Sequence, residues 1–263
     1  MAHALKIWPL LTGTIRYEKT ISTHNRGHGQ WIDAPILAYL VETTQGRILY
    51  DAGCDYRKLS DPDRCERYFS SMHSMIETPR MQPDQRIPHY LAKLGLTAAD
   101  IDLILIEHLH FDHVGGLCEL PGCEVHLHQD ELSAARTKQD SGVFLDELLQ
   151  SDQWRLQHEE YELVPGVQVL TTPGHTAGHL SLMIELPKGH PIILCGDAAD
   201  LSENLTDEIA PGCCWQDNFE LALASIRKLK SIAISEQAQL WPNHDMAFYN
   251  KLPIFPAYYY GSI

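Results

Sequence analysis

The stretch Ile101-Asp-Leu-Ile-Leu-Ile-Glu-His108-Leu-His110-Phe-Asp112-His113-Val-Gly115-Gly116 decides how this chain is read. Ile101–Ile106 is a compact apolar run, expected as a strand, and the histidines follow it directly. At an extended strand end, residues i and i+2 point to the same side. His108 and His110 can therefore offer their imidazoles to one ion, while Leu109 and Phe111 face an apolar core. Gly115-Gly116 gives the chain freedom to turn just beyond, and in that turn Asp112 and His113 can face a second ion close to the first. Three histidines and an aspartate within six residues make a dense N/O donor set, suited to zinc or a similar divalent ion.

Further donors stand at comparable places along the chain. Thr172-Pro-Gly-His175 follows the expected strand Val167–Thr171, Cys195-Gly-Asp197 follows Ile192–Cys195, and Trp241-Pro-Asn-His244 follows Gln239–Trp241. The candidate metal ligands are thus His108, His110, Asp112, His113, His175, Asp197 and His244, each at a strand end or a tight turn. A single histidine elsewhere is far more often a surface or core residue.

Around these donors, Pro35–Val41 and Arg47–Asp51 read as a hairpin with Thr-Thr-Gln-Gly as its turn. Residues 57–82 are polar and aperiodic, with Pro62 and Pro79, and are expected as an inserted loop with a short helix. Ile87–Leu94 has helical spacing and stops at Gly95. Glu124–Leu127 and Leu180–Leu186 read as strands, and Asp130–Arg136 and Val143–Leu149 as helices. Phe219–Ile234 reads as a long amphipathic helix. Mixed strands and helices, with hairpins in the first half, predict layered α/β sheets and not a parallel doubly wound fold. A single domain over residues 1–263 is expected, because no linker, repeat or low-complexity segment interrupts the chain.

Composition excludes several function classes. The 263 residues carry 20 Lys+Arg against 35 Asp+Glu, a formal charge of −15, which repels phosphate backbones and anionic lipid. No run approaches the roughly 18 apolar residues of a membrane span. The opening MAHALKIWPL lacks a charged n-region and a cleavage site, and is expected as the first strand, not a leader. The seven cysteines are scattered without a C-x-x-C pair, and Cys213-Cys214 is a poor geometry for a bridge, so reduced thiols in a cytoplasmic protein are expected. The expected partner is a small-molecule substrate, with no nucleic acid or membrane, and the expected state is a monomer or homodimer.

The order H-x-H-x-D-H, then His, then Asp, then His resembles the dinuclear metallo-β-lactamase superfamily. So do Ile48-Leu-Tyr-Asp51-Ala-Gly53, Pro173-Gly-His175-Thr-Ala-Gly178-His179 and Gly196-Asp197. The resemblance implies a four-layer αββα sandwich, two mixed sheets with helices outside, and two metal ions, zinc foremost, at one edge between the sheets. It further implies that His108, His110 and His175 hold one ion, that Asp112, His113 and His244 hold the other, and that Asp197 bridges both beside a hydroxide. Asp51 would orient a ligand histidine, and His179 would be a structural hydrogen-bonding residue. Such a cation pair lowers the pKa of water from about 15.7 to about 7. The hydroxide would attack a carbonyl, with Asp112 as the group that accepts and returns the proton.

Within the superfamily, Asp197 speaks against the commonest zinc β-lactamases, which use a cysteine there. The net charge speaks against RNA-processing members, and the complete donor set against mononuclear iron relatives. Ala34-Pro-Ile-Leu-Ala-Tyr-Leu-Val41, Leu94-Gly-Leu-Thr-Ala-Ala-Asp-Ile101 and His244-Asp245 are similar to the N-acyl homoserine lactonases, implying a lactone hydrolase; a glyoxalase-type thioesterase is the alternative. One position departs. Those lactonases carry a tyrosine three residues after the bridging aspartate, and this chain has Asp200, which cannot donate a hydrogen bond when ionised. Either another donor takes over, such as Tyr56 or one of Tyr258–Tyr260, or the substrate differs. Tyr68, Phe69, Met72 and Met75, with Trp31, Phe144 and Trp215, either wall an acyl-chain pocket or are plain packing.

Overall fold

Two long strands open the structure. β1 (Ala4–Glu18) and β2 (Trp31–Thr43) pair antiparallel along their length, and β3 (Gly46–Tyr50) returns on β2 with Thr43 opposite Gly46. This computed structural model describes residues 4–72, 74–137, 140–148 and 154–260. The helices α1 (Tyr56–Ser60), α2 (Pro62–Phe69) and α3 (Ile87–Lys93) lead to β4 (Leu103–Leu105), parallel to β3. Then α4 (Phe111–Val114) leads to β5 (Glu124–His128), and α5 (Gln129–Ala135) and α6 (Leu145–Leu148) lead to β6 (Trp154–Gln157). The first sheet has the order β1-β2-β3-β4-β5-β6.

The second sheet is built from β7 (Tyr161–Val164), β8 (Val167–Thr171), β9 (Leu180–Ile184) and β10 (Ile192–Leu194), paired antiparallel in sequence. The chain continues through α7 (Ser202–Asp207) and α8 (Phe219–Glu236) to β11 (Gln239–Trp241), parallel to β10, and on to α9 (Met246–Tyr249).

Side-chain alternation assigns each strand two faces. Leu37, Tyr39, Ile48, Tyr50 and Leu105 pack against Val167, Val169, Leu182, Ile192, Leu194 and Trp241, filling the space between the sheets. Ala38, Leu40, Leu49, Ile104 and Val125 face the other way, onto Ile87, Leu91 and Leu132. On the far side of the second sheet, Leu170 and Ile193 meet Leu205, Ile226 and Leu229. The layers are helix, sheet, sheet, helix: the expected αββα sandwich.

Several boundaries differ from the sequence reading. β4 is three residues long; the Ile106 N–H still donates to the His126 carbonyl of β5 at 3.0 Å, and beyond it the chain reaches the histidines outside any strand. β6 and β7 were not foreseen, since Trp-Arg-Leu-Gln and Tyr-Glu-Leu-Val are short and half polar. Nor was the polar helix α7. Residues 57–82 hold two helices and a turn, then run along the free edge of β1, bridging Ile76 to Tyr17 and Arg80 to Thr14. Met1–His3, His73 and Leu149, the expected end of its helix, lie outside the described residues. All seven cysteines are unpaired, and among the described residues no helix is long and apolar enough to cross a membrane.

Candidate metal centre

Every candidate ligand leaves the same edge of the two sheets. After β4, the Glu107 N–H donates to Asp51 Oδ1 (3.0 Å) and the Leu109 N–H to Glu131 Oε1 (3.0 Å). These bonds hold the backbone extended, with His108 and His110 on one side and Leu109 fully buried on the other. His110 then begins α4, whose first turn presents Asp112 and His113. The turn packs against the loop after β3 so closely that a Cβ on Gly116 would strike the Ala52 carbonyl, which excludes a side chain there. The second sheet delivers His175 from the loop after β8, Asp197 after β10 and His244 after β11. Gly196 sits at φ 57°, a left-handed turn that swings Asp197 inward, and a Cβ on it would meet the Glu107 carboxylate.

The structure brings all seven residues together. Donor atoms of His108, His110, His175 and Asp197 all lie within 4.8 Å of one another, as do those of Asp112, His113 and His244. Asp197 reaches both groups: its Oδ2 is 3.4 Å from His175 Nε2 and 3.5 Å from His113 Nε2, and its Oδ1 is 3.1 Å from His244 Nε2. His110 Nδ1 and His175 Nε2 face each other at 3.0 Å. The Nε2 atoms of His108 and His113 are buried without a hydrogen-bond partner. Buried polar atoms are normally satisfied, and converging imidazole nitrogens around carboxylates form a divalent-cation donor set. The residues present fit two such ions.

Electrostatics agree. Burial resists protonation of His244, yet Asp197 and neighbouring carboxylates lift its pKa to about 10. Burial likewise opposes charge on His110, and Asp140 carries it up to about 9. His175, dominated by burial, falls to about 3. The pocket holds carboxylates in excess, and they draw positive charge from whatever can supply it.

A surrounding layer fixes the imidazoles. His113 Nδ1 is 2.9 Å from Asp51 Oδ2, His244 Nδ1 is 2.8 Å from the Pro35 carbonyl, and His175 Nδ1 is 3.1 Å from the Cys213 carbonyl. Each contact leaves Nε2 turned toward the cluster. His179 is fully buried and bonded through Nδ1 to Thr172 Oγ1 at 2.8 Å, outside the two donor groups. Asp200 is buried beside Asp197 and accepts a hydrogen bond from Ser22 Oγ at 2.7 Å.

Two residues of this layer were not foreseen. Glu107 is fully buried; its Oε2 accepts from the Tyr50 hydroxyl (2.6 Å) and its Oε1 from the Asp197 N–H (3.1 Å). The same Oε1 lies 3.2 Å from His108 Nδ1 and 3.1 Å from His113 Nδ1. A charged residue directly after an apolar strand was the available signal. Asp140 Oδ2 is 2.8 Å from His110 Nε2, and nothing local in the sequence marks it.

His110, Asp112, His175, Asp197 and His244 of the cluster line a cavity of about 490 Å³ whose apolar wall includes Ile15, Ile21, Met72, Ile76, Phe111 and Trp215. Of the expected wall residues, Met72 and Trp215 line it. Tyr68, Phe69 and Phe144 instead pack as an aromatic cluster with Phe111, while Trp31 and Met75 are exposed outside the lining. The expected hydrogen-bond donors are also corrected. Tyr56 lies against Arg86, Tyr258 against Trp8, Tyr259 against Trp241 and Tyr260 against Tyr258, all away from the cavity. The tyrosine among the described lining residues is Tyr17, from β1.

The metallo-β-lactamase superfamily model matches residues 31–238. The chain is 34% identical over 231 residues to an N-acyl homoserine lactonase of Bacillus sp. and 33% identical to one of Bacillus cereus, covering 88% of this chain and 89% of theirs. It superimposes with a TM-score of 0.88 on a solved N-acyl homoserine lactone hydrolase that carries the product N-hexanoyl-L-homoserine at its catalytic metal centre. That pair is 28% identical, over 98% of this chain and 100% of the other. With the donors grouped as they are and these likenesses spanning nearly the whole chain, the protein belongs to the metallo-β-lactamase superfamily, in its N-acyl homoserine lactonase-like branch.

Proposed function

We propose that this protein is a lactonase that hydrolyses the ring ester of an N-acyl homoserine lactone or a close analogue, using two divalent cations, zinc foremost. His108, His110 and His175 would hold one cation, Asp112, His113 and His244 the other, and Asp197 would serve both. The observation that carries the reading is the convergence of these seven side chains, five of which (His110, Asp112, His175, Asp197 and His244) line an apolar-walled cavity. When bound, such a cation pair supplies the charge that acidifies water and polarises a carbonyl.

The chain's own groups supply the rest. Asp112 stands at the cavity surface with its carboxylate 3.8 Å from His244 Nε2. There it is placed to take the proton released when water adds to the carbonyl and to return it to the departing ring oxygen. Ile15, Ile21, Met72, Ile76 and Trp215 form an apolar wall suited to an acyl chain. Among the described lining residues there is no lysine or arginine, so the two carboxylates of a glutathione thioester find no lysine or arginine along the wall to pair with. That favours an uncharged lactone over the thioesterase alternative.

One core shared by both sheets supports reading the chain as a single domain, and seven unpaired cysteines support a reducing compartment such as the cytoplasm. The test is a pH-stat panel of N-acyl homoserine lactones, S-acyl glutathione and a β-lactam on metal-replete enzyme. Lactone opening with little turnover of the others is expected; cleavage of S-acyl glutathione without lactone opening would transfer the assignment.

A further inference from the structure

Asp200 is held in an unusual state. It is 2% exposed, lines the cavity, and lies with a carboxylate oxygen within 4.8 Å of donor atoms of both Asp197 and His244. Its Oδ2 is engaged by the Ser22 hydroxyl at 2.7 Å, while its Oδ1 is buried without a partner. Because a carboxylate only accepts, Ser22 spends its single proton on Asp200, and the Tyr17 hydroxyl, 2.7 Å from Ser22 Oγ, is left to donate to Ser22.

This relay clamps one oxygen and leaves the other open. Its base is fixed as well: buried Asn204 donates to the Ser22 carbonyl at 2.8 Å, and the His244 N–H donates to the Asp200 carbonyl at 2.9 Å. Asp112, Asp197 and Asp200, with Asp140 and Asp217 farther along the wall, give the cavity five carboxylates and no lysine or arginine among its described lining residues. A buried carboxylate oxygen with no donor calls for a cation.

We propose that Asp200 Oδ1 is a further ligand of the second cation, beside Asp112, His113, His244 and the shared Asp197. The inference rests on the two-cation reading of this centre. It gives that position three carboxylates and two imidazoles, an oxygen-rich set suited to an oxygen-preferring ion such as Mn²⁺. It also gives a physical reason for an aspartate at this position: the side chain binds metal and does not serve as a hydrogen-bond donor to substrate.

The experiment titrates Co²⁺ and Mn²⁺ into metal-free wild type, Asp200→Asn and Asp200→Tyr. It follows stoichiometry by elemental analysis and the Co²⁺ d–d absorption, with a melting curve for each variant. Wild type is expected to bind two equivalents. Both variants are expected to keep the first equivalent unchanged, to bind the second at least about tenfold more weakly, and to show an altered spectrum for that second Co²⁺. The tyrosine variant guards against misfolding of the amide, since a tyrosine stands here in the lactonases the sequence resembles. Folded variants that bind both equivalents as tightly as wild type, with an unchanged spectrum, would overturn the assignment of Asp200 alone. Wild type that never exceeds one equivalent would overturn the two-cation reading itself.

Discussion

Replacing Glu107 by glutamine separates the carboxylate's charge from its shape. Glu107 Oε1 stands between two imidazoles, one from each donor group, at 3.2 Å from His108 Nδ1 and 3.1 Å from His113 Nδ1, and it also accepts from the Asp197 N–H. Glutamine can keep its carbonyl there and turn its amide toward Tyr50, whose hydroxyl can donate to the Leu180 carbonyl at 3.0 Å instead. The fold should therefore survive. What is lost is the negative charge behind both imidazoles, and outer partners of this kind contribute about 10- to 100-fold in metal affinity, or about 1.4–2.8 kcal/mol. Since His108 and His113 serve different cations in the proposed scheme, Glu107→Gln should weaken both, whereas a partner of a single histidine should weaken one. The assay is chelator competition on the reconstituted protein, with circular dichroism as the folding control. A folded variant that retains both ions at wild-type affinity would refute the reasoning.

Other perturbations probe separate parts of the centre. Asp140→Ala removes the carboxylate 2.8 Å from His110 Nε2, so it should weaken the first cation by about tenfold or more and leave the second nearly unchanged by the same competition assay. Asp112→Asn should lower kcat on a lactone by about 10²–10⁴, measured at saturating metal so that occupancy is not the variable. Gly196→Ala places a Cβ against the Glu107 carboxylate in a left-handed turn. It should lose at least about 1–2 kcal/mol by denaturant titration from the backbone alone, and a wild-type midpoint would contradict the packing described.

Much of the centre was legible because its ligands are written locally. His108-Leu-His110 alternates at a strand end, and His175, Asp197 and His244 each follow an apolar run that becomes a strand. The sandwich followed from the same runs together with the resemblance they supported. Contacts made only in three dimensions were not legible. Asp140 meets His110 from 30 residues away, and Tyr17 sat in β1 as one more alternating residue until the fold turned it onto the cavity. Tyr259 misled for the complementary reason. It is aromatic and late in the chain, near His244 in sequence, but it pairs with Ile7 and packs on Trp241, between the sheets and off the cavity. Short strands such as β6 and β7 escaped because four residues with a charged or polar partner carry little period-two signal.

The most direct test of the whole account is metal stoichiometry coupled to turnover. Protein stripped of metal should hydrolyse no lactone, and activity should rise as Zn²⁺ is added and saturate at two ions per chain by elemental analysis. Saturation at one ion per chain, or lactone opening by the stripped protein, would contradict it.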